Sequence, residues 1–418
     1  PCMFSNVFEQ TGINADYVRL AADSAKEAIE LFRNLNLVGM NVTAPFKEDV
    51  IPLLDVVDSQ ATLIGGVNTI VNKDGKLYGY NTDHYGVAHS LLHAHVQLHG
   101  TPCVVIGAGG AGKAAAYGLI KQGAKVTIAN RTIEKARDAA QSLGCNYAGL
   151  DQLQNILAQS DVVVFSLSQN INPVDSSWLE SRHVIFDANY KSSEFSVIAR
   201  EKGCKIIEGI DWLLNQAIPS YEYFLGHKPD EALMKAGLAQ YNLKEKSNKI
   251  ALVGFMGSGK TTIGKKLAKK LDITFVDTDE QIVAREGKSI PEIFAQHGET
   301  YFRQLEHDVM QQLFDDSHKM IISCGGGLAM HEGNRKLLKQ HCLVIWLTAT
   351  PESIIGRIKL ANRPLLNVEN PLERAHQLLA QRKHLYAAAS DVVINTEYFN
   401  TDIITQKVYE EISKTFGY

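Results

Sequence analysis

The stretch Gly254-Phe255-Met256-Gly257-Ser258-Gly259-Lys260-Thr261-Thr262 fits the pattern G-x-x-x-x-G-K-[ST] at every position. A strand-like run, Lys249–Val253, precedes it, and residues 263–271 follow with apolar side chains at helical spacing. A strand, a glycine-rich turn and a helix in this order are typical of a phosphate-binding loop, because the curled backbone turns its N–H groups inward and the helix N-terminus adds its dipole. The alternative is a glycine-rich turn before a helix, and the register of the three parts argues against it.

This loop predicts where ATP and Mg²⁺ bind. We expect Lys260 to reach the β- and γ-phosphates and to act in catalysis, and we expect the Thr261 hydroxyl to hold Mg²⁺. The residues of the loop that we assign to the nucleotide are Gly257, Gly259, Lys260, Thr261 and Thr262.

The composition is that of an ordinary globular protein. The chain has 418 residues, a formal net charge of −4 and six cysteines without C-x-x-C spacing. This length predicts two or three domains. The small net charge predicts no nucleic-acid partner, and the lack of an apolar run of membrane-spanning length predicts no membrane partner. The isolated cysteines argue against a disulfide framework or a zinc site, and they indicate a reducing compartment, which we predict to be the cytoplasm.

A second glycine-rich turn, Gly107-Ala108-Gly109-Gly110-Ala111-Gly112, follows an apolar run and precedes a helical pattern. G-x-G-x-x-G in this context is typical of the dinucleotide-binding Rossmann fold, so we assign Gly107, Gly109, Gly110 and Gly112 to a cofactor. The next strand ends at Asn130-Arg131-Thr132, with Lys135 one turn later, where an NAD enzyme carries an acidic residue. Because a guanidinium pairs well with a 2′-phosphate, Asn130, Arg131, Thr132 and Lys135 favour NADP over NAD. The alternative is a structural glycine turn beside exposed basic residues.

Strand and helix patterns alternate along most of the chain, which predicts α/β domains with parallel sheets and right-handed crossovers. Residues 1–100 and 210–240 are predicted to form a substrate domain, and residues 101–209 the dinucleotide-binding domain. Residues 241–248 are a polar linker, and residues 249–418 form the phosphate-loop domain. Within the substrate domain we predict a helix over residues 47–57 and a hairpin that turns at Asp74-Gly75.

Four local patterns in residues 1–240 resemble shikimate dehydrogenase: Asn41-Val42-Thr43-x-Pro45-x-Lys47, Gly66-Val67-Asn68-Thr69, Gly79-x-Asn81-Thr82-Asp83 and Asn130-Arg131-Thr132. The resemblance implies that Lys47 and Asp83 form the catalytic pair. It implies that the substrate contacts Thr43, Asn68, Tyr190 and Gln216. The chemistry agrees, since a lysine ammonium can stabilise charge on a ketone oxygen and give up a proton while a carboxylate orients it. Taken alone, Lys47 is more simply explained as a solvated loop lysine.

Two departures from this family stand out. The family pattern places two substrate-binding serines and a strand before the proline that matches Pro1, so we expect the given sequence to begin inside the motif. The family pattern G-x-x-M-L-x-x-Q carries a methionine near the nicotinamide, and this chain has Trp212 at that position.

Residues 249–418 resemble shikimate kinase, with an α/β/α fold of the P-loop, nucleoside-monophosphate-kinase-like type. The motifs are Asp277-Thr278-Asp279, Gly298-Glu299-x-x-Phe302-Arg303-x-x-Glu306, Cys324-Gly325-Gly326-Gly327, Asn362-Arg363-Pro364-Leu365-Leu366 and Arg382-x-x-x-Tyr386. The resemblance implies that Asp277 helps to hold Mg²⁺, that Asp279 binds substrate hydroxyls and acts as the base, and that Glu306 supports Arg303. It assigns Arg303, Gly325, Gly326, Gly327 and Arg382 to shikimate, and Arg357 and Arg363 to the nucleotide.

The kinase assignments have plainer alternatives. Asp279 taken alone is also expected as the cap of a helix that starts at Glu280. The pair of Arg303 and Glu306 is also expected as a surface salt bridge, and each arginine as a solvated helix residue.

Together the two resemblances predict a bifunctional enzyme that reduces 3-dehydroshikimate to shikimate with NADPH and phosphorylates shikimate with MgATP. One alternative is a quinate or aminoshikimate dehydrogenase fused to another small-molecule kinase, such as a gluconate kinase. Another is an active kinase joined to a catalytically impaired dehydrogenase half. The predicted partners are small-molecule substrates, and the sequence leaves open a homo-oligomer and an additional pathway domain upstream.

Overall fold

The computed structural model describes residues 1–168, 170–241, 249–360, 365–397 and 400–416. The chain forms two compact units, of which one is Asn36–Leu238 and the other joins Pro1–Leu35 to Ala239–Tyr418. Within the described ranges, every helix is too short or too polar to traverse a lipid bilayer. The predicted linker lies outside these ranges except for Tyr241, which ends a helix.

The strands are β1 (Arg19–Ala21), β2 (Gly39–Asn41), β3 (Val56–Val57), β4 (Thr69–Lys73), β5 (Lys76–Tyr80), β6 (Pro102–Ile106), β7 (Lys125–Asn130), β8 (Asn146–Gly149), β9 (Val162–Phe165), β10 (Val184–Asp187), β11 (Lys205–Ile207), β12 (Lys249–Val253), β13 (Thr274–Asp277), β14 (Met320–Ser323), β15 (Cys342–Thr348) and β16 (Val392–Asn395). The helices are α1 (Cys2–Thr11), α2 (Ala25–Leu35), α3 (Ser59–Ile64), α4 (Asp83–His93), α5 (Gly110–Lys121), α6 (Ile133–Leu143), α7 (Leu153–Ala158), α8 (Glu194–Glu201), α9 (Gly209–Leu225), α10 (Glu231–Tyr241), α11 (Lys260–Leu271), α12 (Thr278–Glu286), α13 (Ile290–Asp315, interrupted at Gly298), α14 (Glu332–His341), α15 (Pro351–Arg357), α16 (Pro371–Ala389) and α17 (Thr401–Phe416).

The larger sheet of the unit Asn36–Leu238 is parallel and has the order β11-β10-β9-β6-β7-β8. Counted from the first strand of this sheet, the order is that of the Rossmann fold, which confirms the predicted fold class. Strands β6 and β9 are buried on both faces, as a parallel sheet covered by helices requires. The strand order reverses between β6 and β9, so the crevice for a dinucleotide opens at their carboxyl ends.

The smaller sheet of this unit has the order β2-β4-β5-β3. Strands β4 and β5 form an antiparallel hairpin, and the turn between them contains Asp74 at φ 54° and Gly75 at φ 84°. Two successive residues at positive φ match the twist of the flanking strands, so the predicted hairpin turn is confirmed.

The predicted helix over residues 47–57 is wrong. Only Ile51–Leu53 forms a single 3₁₀ turn, and Val56–Val57 pairs with β5 as strand β3. Pro52 lies inside the segment and has no N–H to donate to a helix. The backbone N–H of Asp55 donates to the carbonyl oxygen of Leu77 at 3.0 Å, and this pairing with the sheet replaces the helical hydrogen bonds.

The other unit contains a six-stranded parallel sheet with the order β1-β16-β15-β12-β14-β13. Strand β12 is buried along its whole length between β14 and β15, and the glycine-rich loop leaves its carboxyl end. The side chains of Leu252, Ile263 and Ile345 belong to one buried apolar cluster that joins α11 to the sheet. The loop is therefore held between a buried central strand and the N-terminus of α11.

In the structure, Pro1–Leu35 belong to the same compact unit as Ala239–Tyr418. Strand β1 pairs in parallel with β16, where sheet-edge N–H and C=O groups need partners. Arg19 forms an ion pair with Glu411 at 2.9 Å, and Lys407 forms one with Glu27 at 3.0 Å. Main-chain pairing and charge complementarity thus join this segment to the unit that contains the phosphate-binding loop.

Candidate active sites

The structure brings Lys47 and Asp83 together. Lys47 follows β2 on a loop, and Asp83 is the first residue of α4. Lys47 Nζ donates to Asp83 Oδ2 at 2.6 Å, and the Asp83 side chain is only 3% exposed. A buried carboxylate needs a cation or hydrogen-bond donors, and the Lys47 ammonium is both. This short charged hydrogen bond holds the two side chains in a fixed orientation.

Asn68, the residue before β4, connects this pair to the rest of the pocket. Its Nδ2 lies 3.0 Å from Asp83 Oδ1 and 2.9 Å from Gln216 Oε1. Its Oδ1 accepts from the backbone N–H of Thr82 at 2.8 Å. The two carboxylate oxygens of Asp83 therefore face two different donors, which fixes the carboxylate plane.

Helix α9 contributes one side chain per turn to this network. Trp212 Nε1 donates to the backbone carbonyl oxygen of Asp83 at 2.9 Å, and Gln216 accepts from Asn68. Ser220 Oγ lies 2.8 Å from Thr69 Oγ1. The spacing of four residues places all three side chains on the same face of the helix.

Two of the predicted substrate residues lie around this network without joining it. The Thr43 side chain is exposed, and the Thr43 backbone oxygen accepts from the N–H of Phe46 at 3.1 Å. Tyr190 follows β10 and is 62% exposed. Loss of hydration first, and the Asp83 carboxylate second, raise the pKa of Tyr190.

The glycine turn after β6 fits a dinucleotide. A Cβ on Gly112 would lie 2.0 Å from the carbonyl oxygen of Gly107, so the loop can close only without a side chain there. At Gly109 and Gly110 a Cβ would meet no protein atom within 4 Å, and this leaves room for a ligand to approach the backbone. Gly109 precedes the first turn of α5, where backbone N–H groups and the helix dipole favour a phosphate.

The predicted NADP determinants lie beside this turn. Asn130 ends β7, and its Oδ1 accepts from the backbone N–H of Ala108 at 3.3 Å. Arg131, Thr132 and Lys135 follow at the start of α6, and all three are exposed. Their donors are therefore available to an anion bound next to the glycine turn.

The phosphate-binding loop has the geometry expected of it. Gly254, Gly257 and Gly259 have φ of 140°, 80° and 95°, which side chains disfavour. Lys260 Nζ is buried and donates to the carbonyl oxygens of Gly254 and Phe255 at 2.9 and 3.0 Å.

A candidate Mg²⁺ site lies next to the loop. Thr261 Oγ1 donates to Asp277 Oδ2 at 2.9 Å, and Asp277 ends β13. Among the described residues no group of three or more His, Cys, Asp or Glu side chains could hold a metal. One hydroxyl and one carboxylate fit Mg²⁺ bound mainly by phosphate oxygens and water, because Mg²⁺ keeps most of its hydration.

Asp279 faces the candidate substrate pocket. The expectation that Asp279 caps a helix from Glu280 is wrong, because α12 begins at Thr278 and Asp277 is its cap, accepting from the Asp279 N–H at 3.1 Å. A Cβ on Gly325 would lie 2.4 Å from Asp279 Oδ1. Bare backbone at Gly325 thus leaves the carboxylate accessible.

Arg303 is held by two carboxylates on α13. Its Nη1 lies 2.7 Å from Glu306 Oε2, and its Nη2 lies 2.8 Å from Glu299 Oε1. The Glu306 side chain is 1% exposed, so this contact is not an ordinary surface salt bridge. Burial raises the pKa of Glu306 to about 7, against the opposing effect of Arg303. A Cβ on Gly327 would lie 2.2 Å from Arg303 Nη1, so only glycine leaves room for the guanidinium.

Glu306 also has a free acceptor. Its Oε1 is buried and has no hydrogen-bond partner in the described part of the chain. A Cβ on Gly325 would lie 3.0 Å from that oxygen. Glu306 Oε1 is therefore packed closely against the segment of three glycines.

The structure also describes the contacts of Arg382, Tyr386 and Arg357. Arg382 lies with Cζ 5.9 Å from the centre of the Phe255 ring, and Tyr386 Oη donates to the carbonyl oxygen of Gly326 at 2.5 Å. Arg357 Nη2 donates to the carbonyl oxygens of Thr396 and Glu397, both at 2.7 Å. Arg363, the predicted lid arginine, lies outside the described residues.

A cleft of about 420 Å³ joins the phosphate loop to this pocket. Its lining residues include Lys260, Thr261, Thr262, Asp277, Asp279, Gly326 and Arg357. The cleft thus contains both donors for phosphates and carboxylate acceptors, which suits transfer of a phosphoryl group to a hydroxyl.

Sequence reasoning missed several contributors to the two pockets. Ser220 and Trp212 on α9 were not expected to contact the catalytic segment. Each lies four residues from Gln216, and this helical spacing was the available signal. In the kinase, Thr278 Oγ1 accepts from the Gly325 N–H at 2.8 Å, a contact between distant parts of the sequence that no local pattern announces.

The folds and sites define a Rossmann-type oxidoreductase and a P-loop kinase in one chain. Residues 1–70 match the model for the shikimate dehydrogenase substrate binding domain, residues 88–187 that for shikimate / quinate 5-dehydrogenase, and residues 256–413 that for shikimate kinase. The chain belongs to the shikimate dehydrogenase family in its N-terminal part and to the shikimate kinase family in its C-terminal part, which makes it a bifunctional enzyme of the shikimate pathway.

Curated relatives cover both parts. The shikimate dehydrogenase (NADP(+)) of Aquifex aeolicus is 36% identical over 233 residues, which are 54% of this chain and 86% of that protein. The shikimate kinase of Deinococcus radiodurans is 42% identical over 170 residues, which are 41% of this chain and 86% of that protein.

Solved structures of shikimate dehydrogenases are similar to part of this chain. The crystal structure of the Aquifex aeolicus shikimate dehydrogenase is similar with a TM-score of 0.54 and 33% identity, covering 57% of this chain and 91% of that one. The Thermus thermophilus shikimate 5-dehydrogenase, solved in complex with NADP(H) and shikimate, is similar with a TM-score of 0.51 and 27% identity, covering 57% of this chain and 93% of that one.

Proposed function

We propose that the unit Asn36–Leu238 carries the site that reduces 3-dehydroshikimate to shikimate with NADPH, and that the phosphate-loop unit phosphorylates the 3-hydroxyl of shikimate with MgATP. The observation that carries the first half is the contact of 2.6 Å between Lys47 Nζ and Asp83 Oδ2 beside the glycine turn of a Rossmann sheet. The second half rests on the contact between Thr261 and Asp277 in the cleft that contains Asp279.

In the dehydrogenase, bound NADPH supplies the hydride. Lys47 donates a proton to the carbonyl oxygen of the substrate as negative charge develops there. Asp83 holds the ammonium in place, and Asn68 holds Asp83. Thr43, Tyr190 and Gln216 surround the substrate ring. Arg131, together with Asn130, Thr132 and Lys135, binds the 2′-phosphate that distinguishes NADP from NAD.

In the kinase, bound MgATP supplies the phosphoryl group. Asp279 accepts the proton of the shikimate 3-hydroxyl, and Arg303 and Arg382 bind the shikimate carboxylate. Lys260 neutralises charge on the phosphates, while Asp277 and Thr261 hold Mg²⁺. Arg357 contacts the nucleotide, and Arg363, which lies outside the described residues, is assigned to the nucleotide from its motif alone.

The substitution Lys47→Ala tests the dehydrogenase half. With shikimate and NADP⁺, the rate of NADP⁺ reduction is expected to fall about 1,000-fold, because the proton donor is lost. Lys76→Ala, an exposed lysine on β5, is the matched control and is expected to keep the rate. The kinase rate should stay the same in both variants. An undiminished dehydrogenase rate in Lys47→Ala would refute the assigned role.

Substrate preference separates this proposal from its rivals. The purified chain is assayed with shikimate and quinate under NADP⁺ and under NAD⁺, and with shikimate and gluconate under MgATP. We expect the highest kcat/KM with shikimate and NADP⁺, and phosphorylation of shikimate alone. A preference for quinate, or for gluconate as the phosphoryl acceptor, would contradict the proposal.

We also infer that the enzyme works in a reducing compartment, the cytoplasm. All six cysteines are free thiols. Burial raises the pKa of Cys103 to about 12 and that of Cys145 to about 11, so neither forms a reactive thiolate near neutral pH.

A further inference from the structure

Trp212 makes a contact that a methionine cannot make. It lies in the first turn of α9, at the position where the dehydrogenase pattern carries methionine. The indole Nε1–H donates to the backbone carbonyl oxygen of Asp83 at 2.9 Å, and the side chain is 7% exposed. Since a thioether has no hydrogen to donate, this hydrogen bond depends on the tryptophan of this chain.

The indole ring is held from several sides. A Cβ on Gly86, one turn into α4, would lie 2.5 Å from Trp212 Cδ1, so the ring packs directly against the helix backbone. The Phe186 ring meets it edge-on, with ring centres 6.0 Å apart. A ring packed in this way has little freedom, and its N–H therefore presents a fixed donor to Asp83.

The carbonyl that accepts this bond belongs to the residue whose carboxylate contacts Lys47. Asp83 Oδ2 lies 2.6 Å from Lys47 Nζ, and Asp83 Oδ1 lies 3.0 Å from Asn68 Nδ2. The side chain is thus fixed at both oxygens, and the main chain is fixed by the indole. Gln216, one turn further along α9, contacts Asn68 from the same face.

We propose that Trp212 is a positioning residue of the dehydrogenase, which acts through the backbone of Asp83 to align the Lys47–Asp83 pair. The proposal rests on the acid–base role assigned to that pair above. Rate depends steeply on such alignment, because a displacement of about 1 Å at a catalytic group can cost about 100-fold. The affinities for shikimate and NADP depend less steeply on the alignment of this pair.

The first test compares Trp212→Phe and Trp212→Met, which fill the space without an N–H donor. We expect kcat for NADP⁺ reduction to fall about tenfold, with the KM values for shikimate and NADP⁺ changed less than about twofold. Trp178→Phe, at a partly buried tryptophan of the same unit, is the control and should keep kcat. In an Asp83→Asn background the same substitutions should cost no further rate.

Two results would overturn the inference. One is an unchanged kcat in both variants. The other is a rise confined to the KM for NADP⁺, which would make Trp212 a wall of the nicotinamide pocket. If Lys47→Ala kept full activity, the proposed catalytic pair itself would fail. If Lys47→Ala abolished activity while Trp212→Phe did not lower kcat, only the role of Trp212 would fail.

A measurement on the unsubstituted protein does not depend on the folding of a variant. In ¹⁵N-labelled protein the indole N–H of Trp212 should exchange with solvent at least roughly tenfold more slowly than that of Trp178, because it is both buried and hydrogen-bonded. Exchange as fast as that of Trp178 would overturn the proposed hydrogen bond.

Discussion

At the scale of single residues, the chemistry depends on buried charges whose partners are close. Glu306 shows this most clearly. Burial raises its pKa to about 7, Arg303 acts in the opposite direction, and Asp279 adds to the rise. Glu306 therefore changes its charge near neutral pH, and the arginine proposed to bind the shikimate carboxylate loses a charged partner when that happens.

This environment predicts a pH dependence of the kinase. The folded protein keeps the Glu306 proton up to about pH 7, whereas the unfolded chain releases it near the ordinary glutamate pKa of 4.5. The stability contributed by this group is therefore full below pH 4.5 and declines as the pH rises through about 7. Shikimate binding should strengthen as the pH rises, because the ionised Glu306 carboxylate holds Arg303 in place. The KM for shikimate should rise several-fold as the pH falls from about 8 to about 6.

Glu306→Gln removes the titrating group. Its KM for shikimate should stay near the wild-type value at low pH over the whole range and lose the dependence on pH, which steady-state kinetics will show. Glu299→Gln changes the exposed partner of Arg303 and is expected to keep the dependence. A wild-type KM that is equal at both ends of the range would contradict the assignment.

Residues of the candidate sites could be predicted from sequence where they lie in a short motif. Lys47, Asn68 and Asp83 lie in three different motifs, and the structure brings them together. The contact from Trp212 to Asp83 could not be predicted, because it joins residues 129 positions apart through a main-chain atom. A sequence motif records side-chain identity, and it does not show which backbone oxygen a side chain will reach.

At the scale of elements, neighbouring glycines in the turn between β6 and α5 have different roles. The protein backbone leaves no space for a side chain at Gly112, because a Cβ there would lie 2.0 Å from a backbone oxygen. Gly109 faces open space. One position therefore protects the fold and the other leaves room for the cofactor.

The substitutions Gly109→Ala and Gly112→Ala should separate these two effects. Gly112→Ala is expected to lower the free energy of unfolding by a few kcal/mol, because a backbone carbonyl cannot move aside easily. Gly109→Ala should leave the thermal midpoint within about 2 °C and raise the KM for NADP⁺ about tenfold or more, because the methyl group would occupy space next to the phosphates. Thermal melts and kinetics measure both. Equal loss of stability in the two variants would contradict this division.

Some elements could be predicted well and others could not. Strand β12 begins and ends where predicted, because it is a short, mostly apolar run in a buried parallel sheet. The prediction of a helix over residues 47–57 was wrong, because the local sequence does not show that the backbone of Asp55 pairs with that of Leu77. Strand β8 was missed, since it is short and its first two residues are exposed.

At the scale of the whole molecule, the match to the substrate-binding domain of shikimate dehydrogenases covers residues 1–70, whereas the structure divides the chain after Leu35. Main-chain pairing of β1 with β16 is non-local, and local sequence patterns carry no information about which sheet edge a strand will join. The identity of both enzymes, in contrast, depends on short motifs within each unit and could be predicted.

The central claim is that one chain makes shikimate at one site and consumes it at another. It is tested most directly by supplying the purified protein with 3-dehydroshikimate, NADPH, ATP and Mg²⁺ and following the products by mass spectrometry. We expect shikimate 3-phosphate from the unsubstituted chain, accumulation of shikimate in Asp279→Ala, and no product in Lys47→Ala unless shikimate is added. Failure of the unsubstituted chain to form shikimate 3-phosphate under these conditions would contradict the account.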